Sequence, residues 1–172
     1  SLDAPDVERS KKIIAQLPGS DRIILEVGTP LIKRYGTKVI GELREIAKDM
    51  FFVADLKTLD VGKVEVDLAY EETADAVVAS GLAPAETIDS FIHEAKRLAI
   101  YAVVDMLNVE DPLKKLKSIK EFRRKKKAVL EKFDKSVRVI DETWGETEGL
   151  ANKRDLAITR MFSRVLFVAA VI

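Results

Sequence analysis

Three ionisable side chains, Asp55, Lys57 and Asp60, stand inside one largely apolar stretch, Phe51–Asp60 (FFVADLKTLD). An extended chain alternates its side chains, so Val53, Asp55 and Lys57 share one face and Phe52, Ala54 and Leu56 the other. A lone charge there is costly to bury, whereas an Asp–Lys–Asp group offsets part of its own desolvation. The spacing alone allows two readings: a cluster built for chemistry, or a strand end running into a solvated turn. Further acids recur beside other apolar stretches. Glu26 lies at the end of RIILEV, Asp105 near the end of IYAVVDML, and Asp3 just before the first helix. Carboxylates gathered with water and a ligand oxygen suit Mg²⁺, which takes octahedral oxygen ligands and seldom a full protein cage. Lys57 among acids stays protonated, because opposite charges favour its charged form. It can then donate to a developing oxyanion or enediolate. The competing role for each acid is to cap the helix that follows.

The elements that must position these residues follow a strand–helix rhythm. Asp3-Ala4-Pro5 reads as a helix start, with Val7, Ile14 and Leu17 on one face and Pro18-Gly19-Ser20 as the stop. Arg22–Val27 is a short buried strand ended by Gly28-Thr29-Pro30. Thr37–Lys48 is an amphipathic helix with Val39, Ile40, Leu43, Ile46 and Ala47 inward. After the strand at Phe51, Val61–Thr73 fits either period, and the surrounding rhythm makes it a helix. Ala74–Ser80 is a strand. Pro84–Leu98 is a helix with Ile88, Phe91, Ile92 and Ala95 inward. Ile100–Leu107 is a strand, and Asp111-Pro112 starts a helix with Leu113, Leu116 and Ile119 periodic. Alternation without hairpin signals means βα units, a parallel sheet and right-handed crossovers. In such folds the active site lies at the C-terminal strand ends, where Glu26, Asp55 and Asp105 fall.

Beyond residue 120 the pattern changes. Arg123–Lys127 (RRKKK) is a basic run whose ordinary meaning is a solvated helix face. Residues 128–133 continue that helix or form a strand. Val137–Asp141 is a strand candidate, 142–152 is loop-like, 153–164 is helical, and Val165–Ile172 (VLFVAAVI) is a buried strand.

The chain has 172 residues, enough for one domain with a sizeable core. Lys plus Arg and Asp plus Glu number 29 each, so the overall charge gives no field for a polyanion and no nucleic-acid partner is expected. No apolar run is long enough to span a bilayer, and the polar start at Ser1–Arg9 is no signal peptide. Absence of Cys removes disulfide, Cys-metal and Cys-nucleophile chemistry and fits a reducing, cytoplasmic setting. A charged content of 34% with no Cys leans toward a thermophilic source.

LEVGTPLI at 25–32, VADLKTLDVG at 53–62 and VDMLNVEDP at 104–112 together resemble the orotidine 5′-monophosphate decarboxylase superfamily. Within it they are most similar to the archaeal 3-hexulose-6-phosphate synthase family, sister to the 3-keto-L-gulonate 6-phosphate decarboxylases. LDAPDVERSK at 2–11 fits the same family, entering just after its first strand. The resemblance runs from Leu2 to about residue 120. DxKxxD alone is a weak motif, and EVGTPLI on the preceding strand makes it specific. The resemblance implies a (β/α)8 barrel working as a homodimer, and an aldehyde-lyase of carbohydrate metabolism that condenses formaldehyde with ribulose 5-phosphate. It further implies a Mg²⁺-stabilised enediolate, with Glu26 and Asp55 as metal ligands and Lys57 stabilising the intermediate. Asp60 matches the acid that reaches the partner subunit's site, and Asp3 the acid after the first strand.

The chain also departs from that family. The family carries a His-Arg pair on its fifth strand, with the His in proton transfer. The best match, VRVID at 137–141 followed by Trp144-Gly145-Glu146, puts Val137 in place of the His and leaves Arg138. A rival alignment, Ala128–Lys132, has no His either. The single histidine, His93, falls midway along a helix, as a structural residue. VLFVAAVI lacks the phosphate-binding glycines of the last strands, and a complete barrel takes about 200 residues or more. The expectation is therefore one incomplete α/β barrel domain over 1–172, with five or six strands. Residues 1–120 form a barrel-like first half and 121–172 an altered continuation, whether engineered, truncated or diverged. Open edges favour dimerisation or rearrangement, including VLFVAAVI taking the first-strand slot beside RIILEV. Three functions follow: a hexulose-phosphate synthase-like lyase, a non-catalytic half-barrel scaffold, and an anion- or nucleic-acid-binding module using Arg123–Lys127.

Overall fold

The two apolar periods resolve into parallel strands and covering helices in a computed structural model, which describes residues 1–20 and 22–136. Strands β1 (Ile24–Val27), β2 (Phe51–Thr58), β3 (Ala76–Ser80) and β4 (Tyr101–Asp105) pair in parallel and in chain order. Helices α1 (Val7–Ile14), α2 (Thr29–Tyr35), α3 (Lys38–Arg44), α4 (Gly62–Glu71), α5 (Ala85–Arg97) and α6 (Pro112–Ser136) precede, connect and follow them. A sheet whose spatial order equals its chain order never reverses direction, which is how the wall of a (β/α) barrel is wound. Beside β1, Leu2 forms a parallel bridge to Val27. Its N–H donates to the Glu26 carbonyl at 2.7 Å, and the Gly28 N–H donates to the Leu2 carbonyl at 3.3 Å. Leu2 thus stands in the first-strand position beside the C-terminal end of β1.

The sheet has two apolar faces, because β-strand side chains alternate. Phe52, Ala54, Val77, Ala79 and Val104 face the helices and pack with Ile40, Leu43, Val66, Ile88, Phe91 and Ile92. On the opposite face Val53, Ala76, Val78 and Val103 form a smaller cluster, edged by Ile24, Phe51 and Tyr101. The alternation along β2 is the one its sequence specifies, and the ambiguous 61–73 segment is helical, as α4.

Four details differ from the sequence reading or add to it. Asp6, not Asp3, caps α1: its Oδ1 accepts the Arg9 N–H at 2.7 Å. Leu2 is tied to β1, so the chain needs Asp3–Pro5 to turn before a helix can begin. Helix α3 stops at Arg44, so Ile46 escapes its period and is 44% exposed, whereas Val39, Ile40, Leu43 and Ala47 are buried. Helix α2 is an addition, because Gly28-Thr29-Pro30 reads equally as a strand stop. Helix α6 continues through 128–133, and it meets the core at Ile119 while Leu113 is exposed. Within the basic run, the Arg123 Nε donates to Asp89 Oδ1 at 3.2 Å and Lys126 pairs with the same carboxylate, tying α6 to α5. The strands expected at 137–141 and 165–172, and the loop and helix between them, lie outside the described residues.

Candidate active site

On the face opposite the helices each strand is apolar at its start and polar at its C-terminal end. Glu26, Asp55, Ser80 and Asp105 are those ends, with Glu26 opposite Val53 and Ser80 opposite Asp105 in the ladder. Asp55, Ser80 and Asp105 are buried, and Glu26 is half-buried. Ser80 did not stand out in the sequence, because a serine closing an apolar run is what a strand end commonly carries.

The centre of the group is Lys57. Between Ala54, opposite Val77, and Thr58, opposite Ala79, β2 takes four steps against two on β3. That irregularity carries Lys57 into the left-handed region at φ 47°, which costs an L-residue about 1–2 kcal/mol. Strain of this kind concentrates at sites where the surrounding structure fixes the backbone. Thr58, buried beyond the kink, donates its hydroxyl to Glu65 in the first turn of α4. So aimed, the Lys57 amine reaches past β3. Nζ lies 2.7 Å from Asp105 Oδ2, and 3.1 and 3.3 Å from the two oxygens of Asp55. The Lys57 side chain keeps 33% of its exposure, and two carboxylates engage two of its three N–H donors.

The surroundings tune both signs of charge. Burial pulls Lys57 toward its neutral form, but donation to Asp105 and to Asp55 outweighs burial and holds its pKa above the ordinary value. Burial, then the negative charge of Asp55, pushes Glu26 above the ordinary carboxylate value. The N-terminal amine, the Ser1 hydroxyl and Lys57 oppose that only in part. Asp105 is braced by the Leu107 N–H at 2.8 Å. Thr29, the first residue of α2, places its Oγ1 2.7 Å from Asp55 Oδ2 and 2.9 Å from the Asp55 carbonyl. No spacing rule marks a threonine 26 residues upstream, so only the fold shows it.

The fold thus gathers Glu26, Asp55, Lys57 and Asp105. Asp3 is exposed at the rim, packed against Gly28. A Cβ at position 28 would fall 1.9 Å from Asp3 Oδ1, so glycine is what admits that carboxylate. Asp60 stands apart, exposed in the β2–α4 loop between the exposed Leu59 and Val61. His93 is exposed on α5. Among the described residues no three His, Cys, Asp or Glu side chains converge as a cation cage. Two carboxylates that repel one another still fit Mg²⁺, which takes one or two acids and completes its shell with water and ligand oxygens. No helix among the described residues is long and apolar enough to cross a membrane.

An in-order parallel βα sheet with its ionisable groups at the C-terminal strand ends defines a TIM-type barrel wall. The chain belongs to the orotidine 5′-phosphate decarboxylase / HUMPS family, whose sequence model matches residues 1–166. A bifunctional enzyme Fae/Hps from Methanocella arvoryzae is 52% identical over 120 residues, covering 70% of this chain and 30% of that protein. One from Methanococcoides burtonii is 44% identical over 181 aligned positions, covering 99% of this chain and 41% of the relative. The chain therefore spans well under half the length of these curated relatives. The crystal structure of 3-hexulose-6-phosphate synthase from Salmonella typhimurium superposes with a TM-score of 0.65 at 30% identity, covering 70% of this chain and 56% of that one. Both the family match and the Methanococcoides relative continue past residue 120, where the motif resemblance stops.

Proposed function

We propose that this chain carries the enediolate-forming half of a 3-hexulose-6-phosphate synthase site, acting on ribulose 5-phosphate and formaldehyde. One observation carries the reading: a left-handed Lys57, charged and half-exposed, held between Asp55 and Asp105 at the C-terminal ends of a barrel sheet. Passing the proton on the carbon beside the sugar's carbonyl to a base leaves negative charge on oxygen. Lys57 has an uncommitted N–H to meet that charge, and the flanking acids keep it protonated and aimed. Glu26 and Asp55 are the residues that would hold Mg²⁺, which would act as a Lewis acid on the same oxygen. Asp105 fixes the amine from the far side of β3, so the donor is placed before substrate arrives. The names of the relatives support the substrate class.

The same reading includes a homodimer. Val61, Val64 and Leu68 lie exposed along one side of α4 and its entry, at 51%, 53% and 42%, beside the unengaged Asp60. Burying that stripe against a second copy would bring Asp60 to the subunit boundary. A Val64→Glu variant is expected to sediment as a monomer where the parent sediments as a dimer.

Deuterium exchange into ribulose 5-phosphate, followed by NMR with and without Mg²⁺, tests the chemistry. Exchange that depends on Lys57 supports it, and exchange no faster than in Lys57→Ala removes it. A second reading, a barrel-derived scaffold without catalysis, rests on His93: the chain's single histidine is exposed on α5 instead of facing the cluster. Saturable calorimetric binding of ribulose 5-phosphate would count against that second reading.

A further inference from the structure

We infer that Thr29 is a positioning residue for this site, acting through Asp55 to set the Asp55–Lys57 pair; its catalytic consequence rests on the function proposed above. The hydroxyl of Thr29 has two atoms of Asp55 in reach, Oδ2 at 2.7 Å and the main-chain carbonyl at 2.9 Å. Both are acceptors, so the hydroxyl must donate, and the shorter of the two bonds, to Oδ2, is the one that bears on the carboxylate. The contact to Oδ2 is the shortest made by that carboxylate, shorter than the 3.1 and 3.3 Å separations to Lys57. Lys57 sits nearly equidistant from the two oxygens and so exerts little torque on the carboxylate plane. Thr29, bonding one oxygen at close range, selects the rotamer.

Thr29 is itself held on two sides. Gly28 before it is fixed by the Leu2 carbonyl, and its own carbonyl accepts the Leu31 and Ile32 N–H groups at the start of α2. Pro30 follows inside the first turn. The hydroxyl is therefore delivered by rigid backbone from the neighbouring strand, which is what an orienting partner requires. Serine would supply the same donor, and valine the same shape without it.

Thr29→Val and Thr29→Ser separate orientation from packing. In the deuterium-exchange assay, loss of an orienting partner is expected to lower the exchange turnover about 10–100-fold. The ribulose 5-phosphate KM should change little, and Thr29→Ser should restore most of the rate. Independently of activity, the Lys57 ammonium should give a protected ¹H–¹⁵N signal in the parent and in Thr29→Ser, assigned by its loss in Lys57→Arg. That signal should disappear in Thr29→Val. An unchanged signal in folded Thr29→Val overturns the inference, whether or not the parent exchanges deuterium. Failure of the parent to exchange, with the signal behaving as expected, overturns the proposed function and leaves the positioning role supported.

Discussion

The two ends of the sheet each hold a cation, and they hold it differently. At the N-terminal end Arg44 donates from Nη1 to the Met50 carbonyl, and from Nη2 to the Thr73 carbonyl and Asp75 Oδ2, all at 2.5 Å. Asp75 Oδ2 also accepts the Phe52 N–H at 2.8 Å, and the guanidinium lies 4.3 Å above the Phe52 ring. At the C-terminal end Lys57 meets only side-chain carboxylates. Backbone carbonyls belong to elements that cannot turn away, and a planar guanidinium fork suits several fixed acceptors at once. Arg44 is thus a staple joining α3, β2 and the turn before β3, and its side chain is 16% exposed. Lys57 is a compact charge with a donor to spare, 33% exposed and on strained backbone. In barrel folds the first end stabilises and the second reacts.

That contrast can be broken in several ways. Lys57→Ala should give the largest effect, a fall of about 10³-fold in deuterium exchange with the far-ultraviolet circular dichroism unchanged; loss of the fold would make Lys57 a second staple. Arg44→Ala should lower the unfolding free energy by about 2–3 kcal/mol in urea. Its exchange rate per folded molecule should match the parent, and a slowed rate would join the two ends functionally. Left-handed backbone also occurs at the N-terminal end, at Ala99, φ 57°, in the turn between α5 and β4. There it only closes a helix, with the Ile100 N–H reaching back to the Ala95 carbonyl at 3.0 Å. Ala99→Gly should therefore raise stability by about 0.5–1 kcal/mol and leave exchange untouched.

The smallest expected effect concerns pH at the C-terminal end of the sheet. Glu26 has a folded pKa above its ordinary 4.5, so the native state binds this proton more tightly than the unfolded chain does. Stability from that group is complete below 4.5 and is lost as pH rises through the raised value. Without metal, Glu26→Gln should melt higher than the parent at pH 7, with the gain shrinking toward pH 4. Scanning calorimetry in the presence of a chelator measures it. An equal gain at both values would remove burial and the Asp55 charge together from the account.

Much of this was legible along the chain. Period 2 at Phe51–Leu56 and period 3.6 at Ile88–Ala95 each had one packing solution, since either face reversed would expose Phe52 or Phe91, both fully buried here. The DLK spacing, with EVGTPLI before it, located the acids. Less legible were features with no local signature. Ile46 fits the period of α3 and is exposed only because that helix ends early. Asp6 and Asp3 are both plausible caps until Leu2 is seen bonded to β1. Arg44 reads as an ordinary surface arginine, and three acceptors from two other segments make it a staple.

The sequence by itself determined the class of fold, the strand that carries Asp55 and Lys57, and the family to which the chain belongs, because periodicity and motif spacing are local properties. Only the tertiary structure decided which charges meet. Asp105 is 48 residues from Lys57, and Thr29 is 26 from Asp55. Their contacts depend on the order in which parallel strands stack and on a kink that turns one lysine left-handed. Asp60, three residues from Lys57, stays outside the group because the chain leaves the sheet before reaching it.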